Sequence, residues 1–209
     1  MISAIEALQR LREGNQRFVS ETRNGGERAS ETRRLELATR QDPFAIVLGC
    51  SDSRVPAEII FDQGLGDLFV IRVAGNIVAP SQVGSVEFAA DRFGTRLVVV
   101  LGHSQCGAIN ATLEDLLDPA STPSNNLKSI VDRVRPSVET LLETDLRHDP
   151  EALKKLAVRM NIRTSSNHLR HGSQVLEHLS QNDGLLVVGA EYSIETGVVD
   201  FFDGIPAGV

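Results

Sequence analysis

Two short polar segments contain the residue types that metal and proton chemistry require. The segments are CSDSR at 50–54 and GHSQCG at 102–107, and together they hold both cysteines of the chain and one of its five histidines. Two thiolates and one imidazole form a ligand set that suits Zn²⁺. If the segments converge, Cys50, His103 and Cys106 supply three ligands. Water takes the fourth position in a catalytic site, whereas a side chain takes it in a structural one.

Asp52 is the nearest candidate for that fourth position, because it lies two residues after Cys50. Arg54 follows two residues later and faces the same way if the segment is extended. An aspartate–arginine pair in a half-buried crevice stays ionised and holds the carboxylate in one orientation. Taken singly, these features are usually structural, since a cysteine at a strand end is mostly a small buried hydrophobe and an exposed ion pair contributes little. Their co-location favours a zinc site.

Alternating strand and helix patterns place both segments at one edge of a sheet. Short apolar runs predict strands at 44–49, 67–73, 96–102 and 185–188, with helical patterns at 56–61, 81–93 and through most of 104–181. Strands this apolar are typical of a parallel sheet covered by helices on both faces. Ligands bind outside the carboxyl ends of such strands, which is where both polar segments lie. Thr196-Gly197 predicts a turn before a final antiparallel hairpin strand that ends at Phe202.

The first 42 residues are predicted to form a helical arm. Ser3 caps a helix over 3–19 whose apolar residues recur at steps of three and four, residues 20–30 form a loop, and a charged helix covers 31–41. Residues 43–209 then form the α/β core. The fold class is therefore α/β, with a mainly parallel sheet flanked by helices in a single domain over 1–209.

The composition excludes several function classes. The net charge is −7 and the aromatic residues are eight phenylalanines and one tyrosine, so basic patches and stacking surfaces for nucleic acid are lacking. The longest apolar run, 97–101, is too short to cross a bilayer, and Glu6 and Arg10 interrupt any signal peptide. We therefore expect a cytoplasmic protein that binds neither nucleic acid nor membrane.

The two motifs, joined by DLFVIRVAGN at 67–76, resemble those of the β-class carbonic anhydrases. The similarity runs from GNQRF at 14–18 to GAEY at 189–192. It implies zinc-dependent, reversible hydration of CO₂ to bicarbonate and a proton, with one Zn²⁺ per chain. By motif position, the three zinc ligands would be Cys50, His103 and Cys106. Asp52 and Arg54 would be the catalytic pair that orients a zinc-bound hydroxide for attack on CO₂.

The resemblance also implies residues that bind substrate and a partner subunit. Gln41 matches a glutamine that hydrogen-bonds substrate, Gly107 a glycine whose backbone N–H helps to hold it, and Phe69 an aromatic that lines the pocket from the partner. The active site would then lie at the interface of a homodimer, which could pair into a homotetramer. The N-terminal helix and arm would wrap the partner.

A second state of the site follows from the same resemblance. In part of the family the aspartate leaves its arginine and ligates zinc, which closes the enzyme at lower pH, and such members often carry a bicarbonate pocket of Trp, Arg and Tyr. Arg72 and Tyr192 match the last two, whereas Val47 occupies the position of the tryptophan. We expect Asp52 to act as a conditional fourth ligand that closes the site near neutral pH and below.

Two alternatives remain at this point. The chain could be a non-catalytic, zinc-stabilised α/β module in which Asp52 is a permanent fourth ligand, or a scaffold in which Cys50 and Cys106 form a redox pair. Arg54 favours the enzyme, because a closed structural site does not need an arginine beside its aspartate.

Overall fold

The sheet has five strands in the order β2–β1–β3–β4–β5. The structure, a computed structural model, describes residues 2–23, 30–117 and 124–208. The strands are β1 (Ala45–Gly49), β2 (Leu68–Arg72), β3 (Leu97–His103), β4 (Leu186–Tyr192) and β5 (Val199–Asp203). The first four are parallel to their neighbours, and β5 runs antiparallel to β4. The predicted mainly parallel sheet with a C-terminal antiparallel strand is confirmed.

Helices cover both faces of this sheet. They are α1 (Ala4–Val19), α2 (Glu31–Glu36), α3 (Ala57–Ile60), α4 (Pro80–Arg92), α5 (Gly107–Leu117), α6 (Asn125–Val138), α7 (Pro150–His171) and α8 (Gln174–Asn182). Three short 3₁₀ helices cover Ala74–Asn76, Glu139–Glu143 and Asp145–His148. No helix in the described ranges is long and apolar enough to cross a membrane.

Side chains that alternate along each strand divide the core into two clusters. Ile46 and Leu48 of β1 pack with helices α4 to α8 on one face, whereas Val47 packs with α1 and α3 on the other. Strands β1 and β3 are buried along their full length, as expected for strands covered on both sides. Loops at the carboxyl ends of these central strands are therefore held from both faces of the sheet.

The N-terminal arm differs from the prediction in two ways. Helix α1 packs on the sheet of its own chain, because Leu8 and Leu11 are fully buried there and Asn15 bonds to the backbone of Ile60 and Gly197. Helix α2 ends at Glu36, five residues short of the predicted end, and it buries no side chain. A short helix without a packed face has little to stabilise it. Part of the predicted loop, 24–29, lies outside the described residues.

Candidate metal centre

Parallel pairing of β1 with β3 places the two polar segments at the same edge of the sheet. Gly49 pairs with Leu101, so Cys50 follows β1 at the level where His103 ends β3. Cys106 directly precedes α5 and comes back toward the same point. The ligand atoms of Cys50, His103 and Cys106 all lie within 4.8 Å of one another, and all three residues are buried. The structure thus brings the predicted trio together.

The His103 ring is held in one orientation. Its Nδ1 lies 2.8 Å from the Ser104 carbonyl oxygen. A carbonyl oxygen can only accept a hydrogen bond, so Nδ1 carries the hydrogen and donates it. Nε2 then has a lone pair, and it has no hydrogen-bond partner among the described residues although the ring is fully buried. A buried nitrogen without a partner is costly unless something binds it. This is the arrangement of a metal-ligating histidine, whose other nitrogen donates to an outer group.

The two thiols differ in pKa because one is hydrogen-bonded to the other. Cys106 donates a hydrogen bond to Cys50, which lowers the pKa of Cys50 against the opposing effect of burial, and backbone contacts with Asp52 and Gly75 lower it further. The pKa of Cys106 is raised, first because its proton is held by Cys50 and then because it is buried. The Gly75 N–H lies 3.4 Å from the Cys50 sulfur. Donors aimed at a sulfur favour the thiolate, which is the form that binds metal.

Asp52 lies beside this cluster and is bound by Arg54. Its Oδ1 accepts from the Arg54 backbone N–H at 3.0 Å and from Nε at 2.9 Å, and its Oδ2 accepts from Nη2 at 2.7 Å. The side-chain bonds to Arg54 hold the pKa of Asp52 well below its usual range. Oδ2 is also 3.9 Å from His103 Nε2. An ionised carboxylate therefore faces the sulfur and nitrogen atoms.

Arg72 braces the backbone of the first segment. Its Nε donates to the Cys50 carbonyl at 3.0 Å and its Nη2 to the Asp52 carbonyl at 2.6 Å. Tyr192 is buried in the other core cluster, with its ring centroid 6.4 Å from that of Phe18. Strands β1 and β3 separate β2 from β4, which puts the strands of Arg72 and Tyr192 roughly 14 Å apart. The structure does not bring these two residues together within one chain.

The residues matched to substrate binding divide between the two ends of the sheet. Gly107 begins α5 next to the cluster, and its backbone N–H is among those that a helix start leaves without an intrahelical partner. Gln41 is exposed and precedes β1, whereas Cys50 follows it, so the two are separated by a strand of roughly 16 Å. Phe69 pairs with Ile46, near the same far end. Within the chain, both residues therefore lie away from the cluster, Gln41 by a full strand and Phe69 by three residues of β2.

Sequence reasoning missed three residues that support the cluster, which are Asn161, Gly75 and Glu195. Asn161 of α7, nearly fully buried, donates to the Gly75 carbonyl at 2.8 Å and so holds the peptide that contacts Cys50. Gly75 has φ 70°, a conformation that favours glycine. The glycine in Ala74-Gly75-Asn76 is therefore the sequence signal that could have indicated this turn. Glu195, in the turn between β4 and β5, contacts Ser104 and gave no signal in the sequence.

Comparisons with known proteins agree on one family. Residues 45–199 match the family model described as carbonic anhydrase. Carbonic anhydrase 2 of Mycobacterium tuberculosis is 38% identical over 201 residues, which cover 92% of this chain and 90% of that protein. A carbonic anhydrase of Mycolicibacterium smegmatis is 46% identical over 134 residues, which cover 64% of each chain.

Solved structures give the same result. The β-carbonic anhydrase CafA of Aspergillus fumigatus aligns with a TM-score of 0.70 and 26% identity, covering 82% of this chain and 81% of that one. The β-carbonic anhydrase CcaA aligns with a TM-score of 0.72 and 29% identity, covering 96% and 93%.

Proposed function

This chain belongs to the β-class carbonic anhydrases, and from that premise we propose specific roles for its residues in the hydration of CO₂. Cys50, His103 and Cys106 hold the zinc that this family uses, and Asp52 and Arg54 form the catalytic pair. Family membership favours the catalytic interpretation over a non-catalytic zinc module and over a redox pair.

The donor set of this chain fits zinc. Two sulfur atoms and one nitrogen lie within 4.8 Å of one another, and the nitrogen is the unpartnered, buried Nε2 of His103. That orphaned atom is the observation that carries the proposal. Zinc bound by such ligands would supply a Lewis acid that lowers the pKa of water far below its bulk value.

Asp52 orients the attacking oxygen. An ionised carboxylate accepts hydrogen bonds but cannot donate them, so Oδ2 binds the O–H of that oxygen and directs its lone pair toward CO₂. Arg54 fixes the direction of the carboxylate through three hydrogen bonds and keeps it ionised. The Gly107 N–H is placed to donate to an oxygen of substrate or of bicarbonate. Preorganised donors and acceptors of this kind lower the barrier because they need not reorient during the reaction.

Gln41 and Phe69 act, in this proposal, on the cluster of a second copy of the chain. Their position supports this, because Gln41 precedes β1 whereas Cys50 follows it, and Phe69 pairs with Ile46 rather than with the last residue of β1. The ring of Phe69 also contacts Phe88, which is 53% exposed. A homodimer is the smallest assembly that completes the site, and pairing of dimers into a tetramer stays a prediction.

Closure of the site by Asp52 as a fourth ligand also stays a prediction. It is supported by the short distance of 3.9 Å between Asp52 Oδ2 and His103 Nε2, which a rotation of the carboxylate away from Arg54 would reduce. A bicarbonate regulatory site at Arg72 and Tyr192 has less support, since Arg72 is bonded to two backbone carbonyls and Val47 is buried in the core.

We propose in addition that residues 1–209 form a single domain and that the protein is cytoplasmic. Both core clusters share the one sheet, which supports the first point. The second is supported by two cysteines without a disulfide, because a reducing compartment keeps thiols available for metal.

Stopped-flow CO₂ hydration by protein with one zinc per chain tests the catalytic pair. We expect Asp52→Asn to lower the rate by about 10²-fold or more, because the amide both loses the charge and can donate where an acceptor is needed. Asp115→Asn is the matched control: Asp115 is also bound by an arginine, at 3.0 Å, and both aspartate side chains are 18% exposed. Equal rates for the two variants would contradict the role of Asp52.

A further inference from the structure

The backbone carbonyls of Ser104 and Gln105 accept hydrogen bonds from two residues of the proposed site. The Ser104 carbonyl accepts from His103 Nδ1 at 2.8 Å, and the Gln105 carbonyl accepts from Arg54 Nη2 at 3.3 Å. The first contact sets the orientation of the metal-binding ring. The second adds a support to the arginine that holds Asp52. A shift of this one turn would therefore disturb both the ligand and the catalytic pair.

Ser104 is itself held by the turn between β4 and β5. Its Oγ donates to Glu195 Oε2 at 2.7 Å and accepts from the Ile194 N–H at 3.0 Å, while its own N–H donates to the Tyr192 carbonyl at 2.9 Å. Glu195 also accepts from Ser193 Oγ at 3.2 Å. The Ser104 hydroxyl is the main reason that the pKa of Glu195 is lowered. The carboxylate is thus ionised and serves only as an acceptor.

The turn needs such support because its backbone is strained. Gln105 has φ 55°, in the left-handed region that a residue with a Cβ rarely adopts. Such conformations persist only where the surroundings hold them. The side chain of Gln105 also helps to lower the pKa of Glu195, after the larger effect of Ser104. One carboxylate therefore interacts with both residues of the strained segment.

The supporting turn is fixed on its other side by α1. Asn15 donates to the Gly197 carbonyl at 2.8 Å and accepts from the Val199 N–H at 2.9 Å. Glu195 consequently projects from a turn that is tied to a buried helix. A carboxylate on a rigid support can hold its partners in one geometry.

We propose that Glu195 is a positioning residue that sets the His103 ring and Arg54 through the Ser104–Gln105 turn. The inference rests on the proposed role of His103 as a zinc ligand. Glu195 acts at one remove from the metal, as outer groups that hydrogen-bond a metal ligand do. It contacts neither the cluster atoms nor, in this proposal, the substrate.

The test is the zinc dissociation constant, measured by competition with a chromophoric chelator on folded protein. We expect Glu195→Ala to weaken zinc binding about 10-fold, the lower end of the range for outer partners of metal ligands. Glu195→Gln should restore most of the affinity, because its amide oxygen still accepts from Ser104. Ser104→Ala should weaken binding at least as much as Glu195→Ala, and the loss in the double variant should be smaller than the sum of the two single losses, because both variants remove the Ser104–Glu195 bond.

Thr196→Ala is the control, because it removes a contact of the same turn, from the Val198 N–H to Thr196 Oγ1, without touching Ser104. Unfolding midpoints of the zinc-free variants separate loss of positioning from loss of folding. Unchanged affinity in Glu195→Ala, an equal loss in Thr196→Ala, or additive losses in the double variant would each overturn the proposal. Failure of the unaltered protein to bind one zinc per chain would instead overturn the proposed function.

Discussion

The two ends of the parallel sheet differ in how much of the active site one chain completes. At the carboxyl end, hydrogen bonds within the chain join Arg54 to Asp52, and they join both Arg54 and His103 to the Ser104–Gln105 turn. Toward the amino end, Gln41 lies a full strand away from the cluster, and Phe69 lies at the level of Ile46, three residues before the end of β2. The first end is built to hold a metal and an ionised carboxylate, whereas the matched residues of the second end are exposed, as Gln41 is, or partly buried, as Phe69 is.

The difference follows from topology. The carboxyl ends of parallel strands all lie at one edge of the sheet, so the ligands that follow β1 and end β3 meet within one chain. Residues that precede a strand lie at the opposite edge, where a second subunit could contact them. Metal binding should therefore be a property of the chain, and substrate binding a property of the assembly.

Removal of a metal ligand is expected to have the largest effect. His103→Asn should lower zinc occupancy and reduce CO₂ hydration by about 10³-fold or more, because without zinc the pKa of water remains near 15.7. His178→Asn is the control, since His178 is an exposed residue of α8 whose side chain is 69% accessible. Zinc content and stopped-flow rates measure both variants. Retention of zinc and rate in His103→Asn would remove the basis for a metal site at the carboxyl end.

Removal of the arginine partner should have the next largest effect. We expect Arg54→Gln to lower the hydration rate by about 10²-fold, the size of effect that misorientation of a catalytic group produces. Loss of Arg54 lets the pKa of Asp52 rise toward its usual value of about 3.9, so the carboxylate stays ionised at pH 7 and above. The lost rate would therefore report orientation rather than charge, and it should not recover in more alkaline solution.

The same variant tests the pH dependence of stability. A lowered folded-state pKa means that the pair stabilises the fold above the unfolded-state value, and that this contribution is lost as pH falls through the folded-state value. The difference in unfolding free energy between the unaltered protein and Arg54→Gln should thus shrink below about pH 4. Urea unfolding from pH 3 to pH 7 measures it. A difference that grows on acidification would contradict the assigned ion pair.

A substitution at the amino end should have a smaller effect on rate. Gln41→Ala is expected to lower kcat/KM about tenfold, the equivalent of one lost hydrogen bond of ~1.4 kcal/mol. The unfolding midpoint should not change, because Gln41 is exposed. Stopped-flow kinetics over a range of CO₂ concentrations provide the measurement.

Mixed dimers show which cluster Gln41 serves. When Gln41→Ala and Asp52→Asn chains are combined, each mixed dimer should contain one site with both native residues if Gln41 acts across the interface. That site should turn over at the unaltered rate. If Gln41 acts within its own chain, the best site in the mixture keeps the defect of Gln41→Ala. The second result would end the contrast between the two sheet ends.

The sequence predicted the ligand cluster at the carboxyl end of the sheet better than it predicted the residues that hold the cluster in place. The apolar runs and the C-x-D-x-R and H-x-x-C motifs located the cluster, because strand ends and ligand types are both local properties. The contacts of Arg72 could not be predicted, since backbone carbonyls carry no sequence signal. Glu195 lies 91 residues from Ser104, and its role depends on how β4 and β5 meet β3. Strand β4 extends to Tyr192 beyond the predicted apolar run, because it stays paired with β3 as far as His103, and this pairing is not visible in the sequence.

The two helices of the N-terminal arm allow the smallest and most local test. Ser3 and Glu6 form reciprocal hydrogen bonds at the start of α1, at 3.2 and 3.3 Å, and α1 is packed on the core. Ser3→Ala should therefore lower the free energy of unfolding by about 1 kcal/mol at any protein concentration. Ser30 caps α2 through a single hydrogen bond, accepted from the Arg33 N–H at 3.2 Å, and α2 itself has no buried residue.

Ser30→Ala should consequently cost the isolated subunit less than ~0.5 kcal/mol, because a helix that contributes no buried surface adds little to stability. If α2, which ends five residues before Gln41, packs on a second copy, the cost should appear only at concentrations where dimers form. Urea unfolding at two protein concentrations separates these cases. Equal, concentration-independent costs for Ser3→Ala and Ser30→Ala would mean that the whole arm belongs to its own subunit. The amino end would then lack the partner contact on which its proposed role in substrate binding depends.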